Sequence, residues 1–118
     1  MVFVTANNDR EQLDELTQLL LAAFPGSVIY QHTDPMSVPK SVQENKVDAV
    51  FAEAEMTRVN GLDLLRVLHR KKPELPVFIL SGSEEYRDDA MEQGASAYLL
   101  HPVTVQSLQS ALLAAKVP

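Results

Sequence analysis

The sequence predicts an α/β fold: a single (βα)5 domain built on a doubly wound, parallel, five-stranded sheet. Three observations predict it. Short runs rich in aliphatic, β-branched and aromatic residues recur five times, at 2–5, 27–31, 47–52, 77–80 and 97–100. Every stretch between them is long enough to hold a crossover helix, so strands and helices alternate. The third and fourth runs are almost continuously apolar, the pattern of strands covered on both faces. Right-handed crossovers are the strong default for such a chain.

The elements follow in order. Val2-Phe3-Val4-Thr5 opens the chain as a strand. Asn8 with Glu11 fits a capping box. Leu13, Leu16, Leu20 and Phe24 recur at spacings of three and four, on one face of a helix that Pro25-Gly26 ends. Val28-Ile29-Tyr30 centres the second strand. Asp34-Pro35 can open a second helix, because proline is tolerated in a first turn. Pro39 keeps that helix short or displaced, and Asn45-Lys46 ends it. The third strand runs into a loop, 53–60, that carries Glu53 and Glu55. Leu62, Leu65 and Leu68 mark a third helix after Gly61, and Arg70-Lys71-Lys72 suits its C-terminus. Pro73 and Pro76 bracket the turn into Val77-Phe78-Ile79-Leu80. Ser81-Gly82-Ser83 is a tight turn. Glu84-Glu85 begins a fourth helix with Ser83 as its cap, and Gly94 closes it. After the fifth strand, His101-Pro102 turns the chain. Thr104 then caps a last helix with Leu108, Leu112 and Ala115 on one face.

Composition narrows the function. The 118 residues make one domain's worth of chain, 1–118, with 46% apolar and 22% charged residues. The net charge of −6, without a basic run, argues against direct nucleic-acid binding. Zero cysteines exclude disulfides, thiolate catalysis and cysteine-based zinc sites. The longest strictly apolar run, Leu19 to Phe24, is far short of the ~20 residues of a membrane span. The start of the chain lacks the basic and long apolar regions of a signal peptide, so a cytoplasmic location is expected. No glycine-rich phosphate loop follows the first strand, where Thr5-Ala6-Asn7-Asn8 stands, which argues against a nucleotide enzyme.

In an open parallel sheet, ligands sit beyond the carboxyl ends of the strands. That rule gathers Ala6, Asn7 and Asn8, Glu53 and Glu55, Ser81-Gly82, and His101-Pro102. The motifs around these positions resemble the receiver domain of response regulators in two-component signalling, over essentially the whole chain. Val47-Asp48-Ala49-Val50-Phe51-Ala52-Glu53, followed by Asn60-Gly61-Leu62-Asp63-Leu64-Leu65, resembles the strand that ends in the acceptor aspartate and the turn and helix after it. Pro76 to Ser81 resembles the strand ending in a threonine or serine. Gly94-Ala95-Ser96-Ala97-Tyr98-Leu99-Leu100-His101-Pro102 resembles the signature that ends in Lys-Pro. The resemblance implies a flavodoxin-like receiver fold with strand order 2-1-3-4-5. It also implies a place in a bacterial phosphorelay or transcription-regulating protein. Val117-Pro118 stands where a receiver passes into a linker, so 1–118 can be the N-terminal piece of a longer regulator.

The same resemblance shows what has changed. Ala6 and Asn7 stand where the family carries a magnesium-binding acidic pair, Glu53 where it carries the acceptor aspartate, and His101 where it carries lysine; Thr57 replaces a proline. Ser81 and Tyr98 match the family's hydroxyl and its switch aromatic. Magnesium is usually held through one or two carboxylates, so losing the pair removes most of the charge that holds it. Histidine, unlike lysine, is only partly charged near neutrality. Glutamate is a methylene longer than aspartate, and a displacement of ~1 Å can cost ~100-fold in rate.

Each residue also has a plainer role. Glu53 is either a fixed charge in place of a phosphoryl aspartate or a solvated carboxylate. Ser81 either donates to Glu53 or bonds the local backbone, with the local bond favoured. His101 is expected as a solvent-facing turn residue, with a Glu53 pair as the rival. Tyr98 either swings or stays half-buried. The peptide before Pro102 can be cis or trans. Asn7, Asn8, Asp9 and Glu55 are expected to cap and solvate rather than bind a cation. Met36, Met56 and Met91 are expected to fill gaps, and His32 and His69 to lie on the surface.

These readings add up to a pseudo-receiver that is not an enzyme, holds no cofactor and binds magnesium weakly or not at all. It is expected to bind a protein partner or a second copy through the fourth helix, fifth strand and fifth helix, with Tyr86, Arg87, Tyr98, Leu108 and Leu112 on that face. The alternatives are a working receiver with altered acceptor chemistry and a small-molecule or ion sensor using the same crevice.

Overall fold

The computed structural model describes residues 1–117. Strands β1 (Val2–Ala6), β2 (Val28–His32), β3 (Ala49–Glu53), β4 (Val77–Ser81) and β5 (Ala97–Leu100) pair in parallel, in the order β2-β1-β3-β4-β5. Helices α1 (Arg10–Ala23), α2 (Val38–Glu44), α3 (Gly61–Lys71), α4 (Arg87–Glu92) and α5 (Val105–Ala114) fill the crossovers. The period-2 alternation of side chains splits the core in two. Phe3, Phe51 and Phe78 point to the face covered by Leu16 and Leu20 of α1 and by Leu108 and Leu112 of α5. Val4, Val50 and Ile79 point to the opposite face, under Val42 of α2, Leu65 of α3 and Ala90 of α4. This is the flavodoxin-like arrangement expected from the sequence. Among the described residues, no helix is long and apolar enough to cross a membrane.

Local departures have local causes. Helix α1 is capped by Asp9, whose carboxylate accepts the Glu11 and Gln12 amides, and not by the expected Asn8. Strand β3 starts at Ala49 rather than Val47, and the Asp48 carboxylate instead accepts the Val2 amide at 2.7 Å. Pro35 enters a 3-10 turn, Pro35–Ser37, and Pro39 falls in the first turn of α2, where no intrahelical amide is needed. Helix α4 starts at Arg87, later than expected. Ser83 Oγ accepts the Glu85 amide in a turn of its own, and Tyr86 precedes the helix without a side-chain cap. Thr104 and Ser107 form the capping box of α5.

Several side chains stand elsewhere than expected. Leu108 and Leu112 are 0% and 1% exposed, so they belong to the core and cannot form a partner face. The i, i+4 stripe that suggested a shared surface is the stripe that docks α5 on the sheet. Met36 and Met91 are 56% and 46% exposed rather than gap fillers, while Met56 packs on the core. His69 is half-buried, with Nε2 at 2.9 Å from the Leu75 carbonyl. His32 is also half-buried, its Nδ1 at 2.7 Å from Ser37 Oγ, and burial lowers its pKa. Of the suggested linker start Val117-Pro118, the second residue lies outside the described residues.

Candidate functional site at the carboxyl ends of the strands

The register fixes what meets at this end of the sheet. Ala6 pairs with Ala52, Glu53 with Leu80, and Ser81 with Leu100. The residues that follow β1, β3 and β5 therefore close over one crevice. Gly61 positions the β3 end. Its amide donates to the Ala54 carbonyl at 3.0 Å, and a Cβ there would lie 2.4 Å from the Glu53 carbonyl oxygen. Only glycine allows α3 to start this close to the strand.

Glu53 is the centre of the cluster. His101 Nε2 lies 2.8 Å from Oε1 and 2.9 Å from Oε2, so the imidazole faces both carboxylate oxygens. This corrects the expectation of a solvent-facing His101. The peptide between His101 and Pro102 is cis. Asn7 Nδ2 donates to Glu53 Oε2 at 3.4 Å and to Gln12 Oε1 at 2.8 Å, while Asn7 Oδ1 accepts the Asp9 amide at 2.9 Å. Burial pushes the Glu53 carboxyl above its ordinary pKa, and the hydrogen bond and charge of His101 pull against that shift. The Glu53 side chain is 13% exposed and the His101 side chain 35%. Ser81 is buried, and its Oγ accepts the Ser83 amide at 3.1 Å, the local bond favoured from sequence.

Asn8 has a role that its sequence position did not reveal. Its Oδ1 accepts the Thr57 amide at 2.7 Å, and its Nδ2 donates to the Thr33 carbonyl at 3.0 Å. One side chain thus ties together the loops after β1, β2 and β3. The partners lie 25 and 49 residues away, and no local pattern encodes such a clamp.

These donors do not suit magnesium. Ala6 offers no side-chain oxygen, Asn7 Oδ1 already accepts a backbone amide, and both Glu53 oxygens face His101. Magnesium demands a near-octahedral oxygen shell, usually including a carboxylate and several waters. Among the described residues, no group of three or more histidine, cysteine, aspartate or glutamate side chains could hold a metal ion.

Beyond the crevice, Tyr98 is buried at 4% exposure and its hydroxyl donates to the Ser83 carbonyl at 2.5 Å. The Arg87 guanidinium lies 5.0 Å from the Tyr98 ring centroid, within cation–π range, and also pairs with Glu84. That pairing lowers the Glu84 pKa. Tyr86 is half-buried, and the nearby Glu55 carboxylate raises its hydroxyl pKa.

A family model described as the response regulator receiver domain matches residues 2–113. The chain belongs to the response-regulator receiver family. A response regulatory protein of Vibrio cholerae is 29% identical over 102 residues, covering 86% of this chain and 43% of that protein. The transcriptional regulatory protein DcuR of Escherichia coli is 25% identical over 117 residues, 95% of this chain and 49% of its own length. The receiver domain chain therefore spans less than half of either relative. Among solved structures, a response regulator receiver domain from Clostridium thermocellum superposes with a TM-score of 0.88 at 26% identity, covering 97% of this chain and 92% of that one. The chain is a receiver domain of two-component signalling, a family that acts through protein–protein contacts.

Proposed function

We propose that this receiver domain is a pseudo-receiver: it signals by binding a protein without taking up a phosphoryl group or magnesium, and it has no enzymatic activity. The observation that carries the reading is the Glu53–His101 pair. Here a carboxylate and an imidazole already join β3 to the turn before α5, at 2.8 Å. Asn7 and Asn8 tie the neighbouring loops with amides that carry no charge. Among the described residues that line the crevice there is no lysine or arginine, and His101 is turned onto Glu53, so an incoming phosphoryl group, which carries about −1.5 to −2 near neutrality, meets no free basic side chain. The Glu53 carboxylate supplies a permanent contact with a smaller charge.

The contact surface is assigned to α4, β5 and α5 without the buried Leu108 and Leu112. Tyr86 and Arg87 stand at its edge, and Met91 and Leu100 expose apolar surface on α4 and β5. Tyr98, anchored on Ser83 and beneath Arg87, holds that surface in one arrangement. The partner is a protein of the same signalling system or a second copy of the chain. The domain can be one part of a longer regulator, and a cytoplasmic location fits its place in two-component signalling.

The test is an amide NMR titration with magnesium, followed by beryllofluoride. The expected outcome is unchanged resonances at Ala6, Glu53, Ser81 and His101. Saturable shifts there that spread to Tyr98 and α5 would establish a working switch on altered residues and overturn the reading.

A further inference from the structure

Strand β2 is an edge strand, bonded to β1 alone. The Val28 amide donates to the Met1 carbonyl, and the His32 carbonyl accepts the Asn7 amide. Backbone groups of successive strand residues point to opposite sides, so Val28, Tyr30 and His32 turn theirs to β1, and Ile29 and Gln31 turn theirs outward. Among the described residues, nothing pairs with those outward amides and carbonyls. The side chains leave the edge open as well. Val28 and Tyr30 stand in register with Val2 and Val4, on the face that α2 covers over Val4, yet both stay exposed. The Gln31 side chain is drawn away onto α1, where its Nε2 donates to Thr17 Oγ1 at 2.6 Å and to the Leu13 carbonyl at 3.2 Å. Natural edge strands are blunted by charge, proline, a bulge or a covering segment. The five residues of β2, Val-Ile-Tyr-Gln-His, include no Lys, Arg, Asp, Glu or Pro, and burial lowers the His32 pKa, which favours its uncharged form. At the opposite edge, by contrast, Arg87 Nη1 reaches the Tyr98 carbonyl of β5 at 3.4 Å.

We propose that β2 pairs antiparallel with β2 of a second copy, about a two-fold axis at Tyr30, so that one continuous sheet runs through a homodimer. In that register the strand is its own complement. Ile29 of each copy faces Gln31 of the other, and the outward amide and carbonyl of each meet those of the residue opposite. Tyr30 faces Tyr30 of the second copy as a non-hydrogen-bonded pair, with Cα atoms about 4.5 Å apart, close enough for the rings to touch. Val28 faces His32 of the other copy, and no like charges stand opposed along the strand. The neighbouring registers are worse. An axis at Ile29 needs the Ser27 amide, which already donates to the Phe24 carbonyl at 3.3 Å. An axis at Gln31 needs the Thr33 carbonyl, which already accepts Asn8 Nδ2 at 3.0 Å. It also draws together the two copies of Asp14, whose carboxylate lies 3.2 Å from Gln31 Nε2. A foreign extended segment meets the same backbone groups, but the two-fold match of donors, acceptors and side chains favours a second copy. Strand order sets β2 and β5 at opposite edges, so this contact is separate from the surface assigned to α4, β5 and α5.

The test is sedimentation of the 118-residue chain over a wide range of concentration, with amide hydrogen exchange on the same samples. A concentration-dependent dimer is expected, in which the Ile29 and Gln31 amides exchange more slowly as the dimer fills. Tyr30→Lys changes an exposed side chain and sets two cations face to face at the axis. It is expected to raise the dissociation constant at least about tenfold while the amide spectrum shows the fold kept. Met91→Lys, on α4, is expected to leave the dimer intact. A chain that stays monomeric throughout overturns the proposal and leaves the edge to a foreign segment. A dimer whose Ile29 and Gln31 amides exchange freely, or one that survives Tyr30→Lys or is broken by Met91→Lys, overturns it equally. The beryllofluoride titration reads the phosphoryl question, so the two readings fail separately.

Discussion

The middle of the sheet and its carboxyl edge lie only two to four residues apart along the strands, yet they are built from opposite materials. In the middle, Phe3, Phe51 and Phe78 cross β1, β3 and β4 as a continuous aromatic row. Ring centroids are 5.6 Å apart for the first pair and 4.9 Å for the second, and all three side chains are 0% exposed. At the edge stand Asn7, Glu53, Ser81 and His101, held by hydrogen bonds that run between loops. The middle draws its stability from buried apolar area and ring geometry, which do not depend on the identity of the edge residues. The edge can therefore differ from the family pattern, as the resemblance implies for Ala6, Asn7, Glu53 and His101, while the fold stays that of a receiver. Membership of a family and possession of its chemistry are carried by different residues.

Three substitutions test this division. Phe51→Ala is expected to have the largest effect, a loss of about 3–5 kcal/mol, because it empties the centre of the aromatic row. Urea unfolding measures it, and a loss below about 1 kcal/mol would mean that the row does not carry the fold. Gly61→Ala comes next and joins the two regions. The new Cβ would meet the Glu53 carbonyl oxygen at 2.4 Å and the Ala54 Cα at 3.0 Å, both backbone atoms that cannot rotate away. A loss of about 3 kcal/mol is expected, together with displaced amide resonances at Glu53 and His101. Unmoved resonances would show that the β3 end is not set by α3. The smallest effect is expected at the one polar intruder in the middle. Thr5 is fully buried and its Oγ1 has no hydrogen-bond partner among the described residues. Thr5→Val keeps the shape and removes the orphaned hydroxyl, so it should leave stability unchanged or raise it by up to about 1 kcal/mol. A clear fall in the urea midpoint at constant slope would place a hidden partner on that oxygen.

How far the chain could be read without its structure differs in the same way between the two regions. The five strands were legible because apolar runs and turn residues are local signals. Thr104, Pro25-Gly26 and Gly94 marked helix ends correctly because caps and breakers act within a few residues. Asn8 was misassigned as a cap because asparagine suits both a helix start and a cross-loop clamp, and only the position of Thr57 separates them. Leu108 and Leu112 were misassigned because an apolar helical stripe does not say which surface it meets. His101 was misread because its partner lies 48 residues away and on another strand.

The sequence by itself determined the alternating architecture and the convergence of loops at the carboxyl ends, and its resemblance to the family marked Ala6, Asn7, Glu53 and His101 as departures from the family pattern. The first two are properties of residue identity and short-range spacing. Only the tertiary structure decided that His101 closes on Glu53, that Asn8 ties three loops together, and that Tyr98 is anchored inward on Ser83. Those facts depend on distances between residues far apart in the chain, and such distances exist only once the core has packed and fixed the register of the strands.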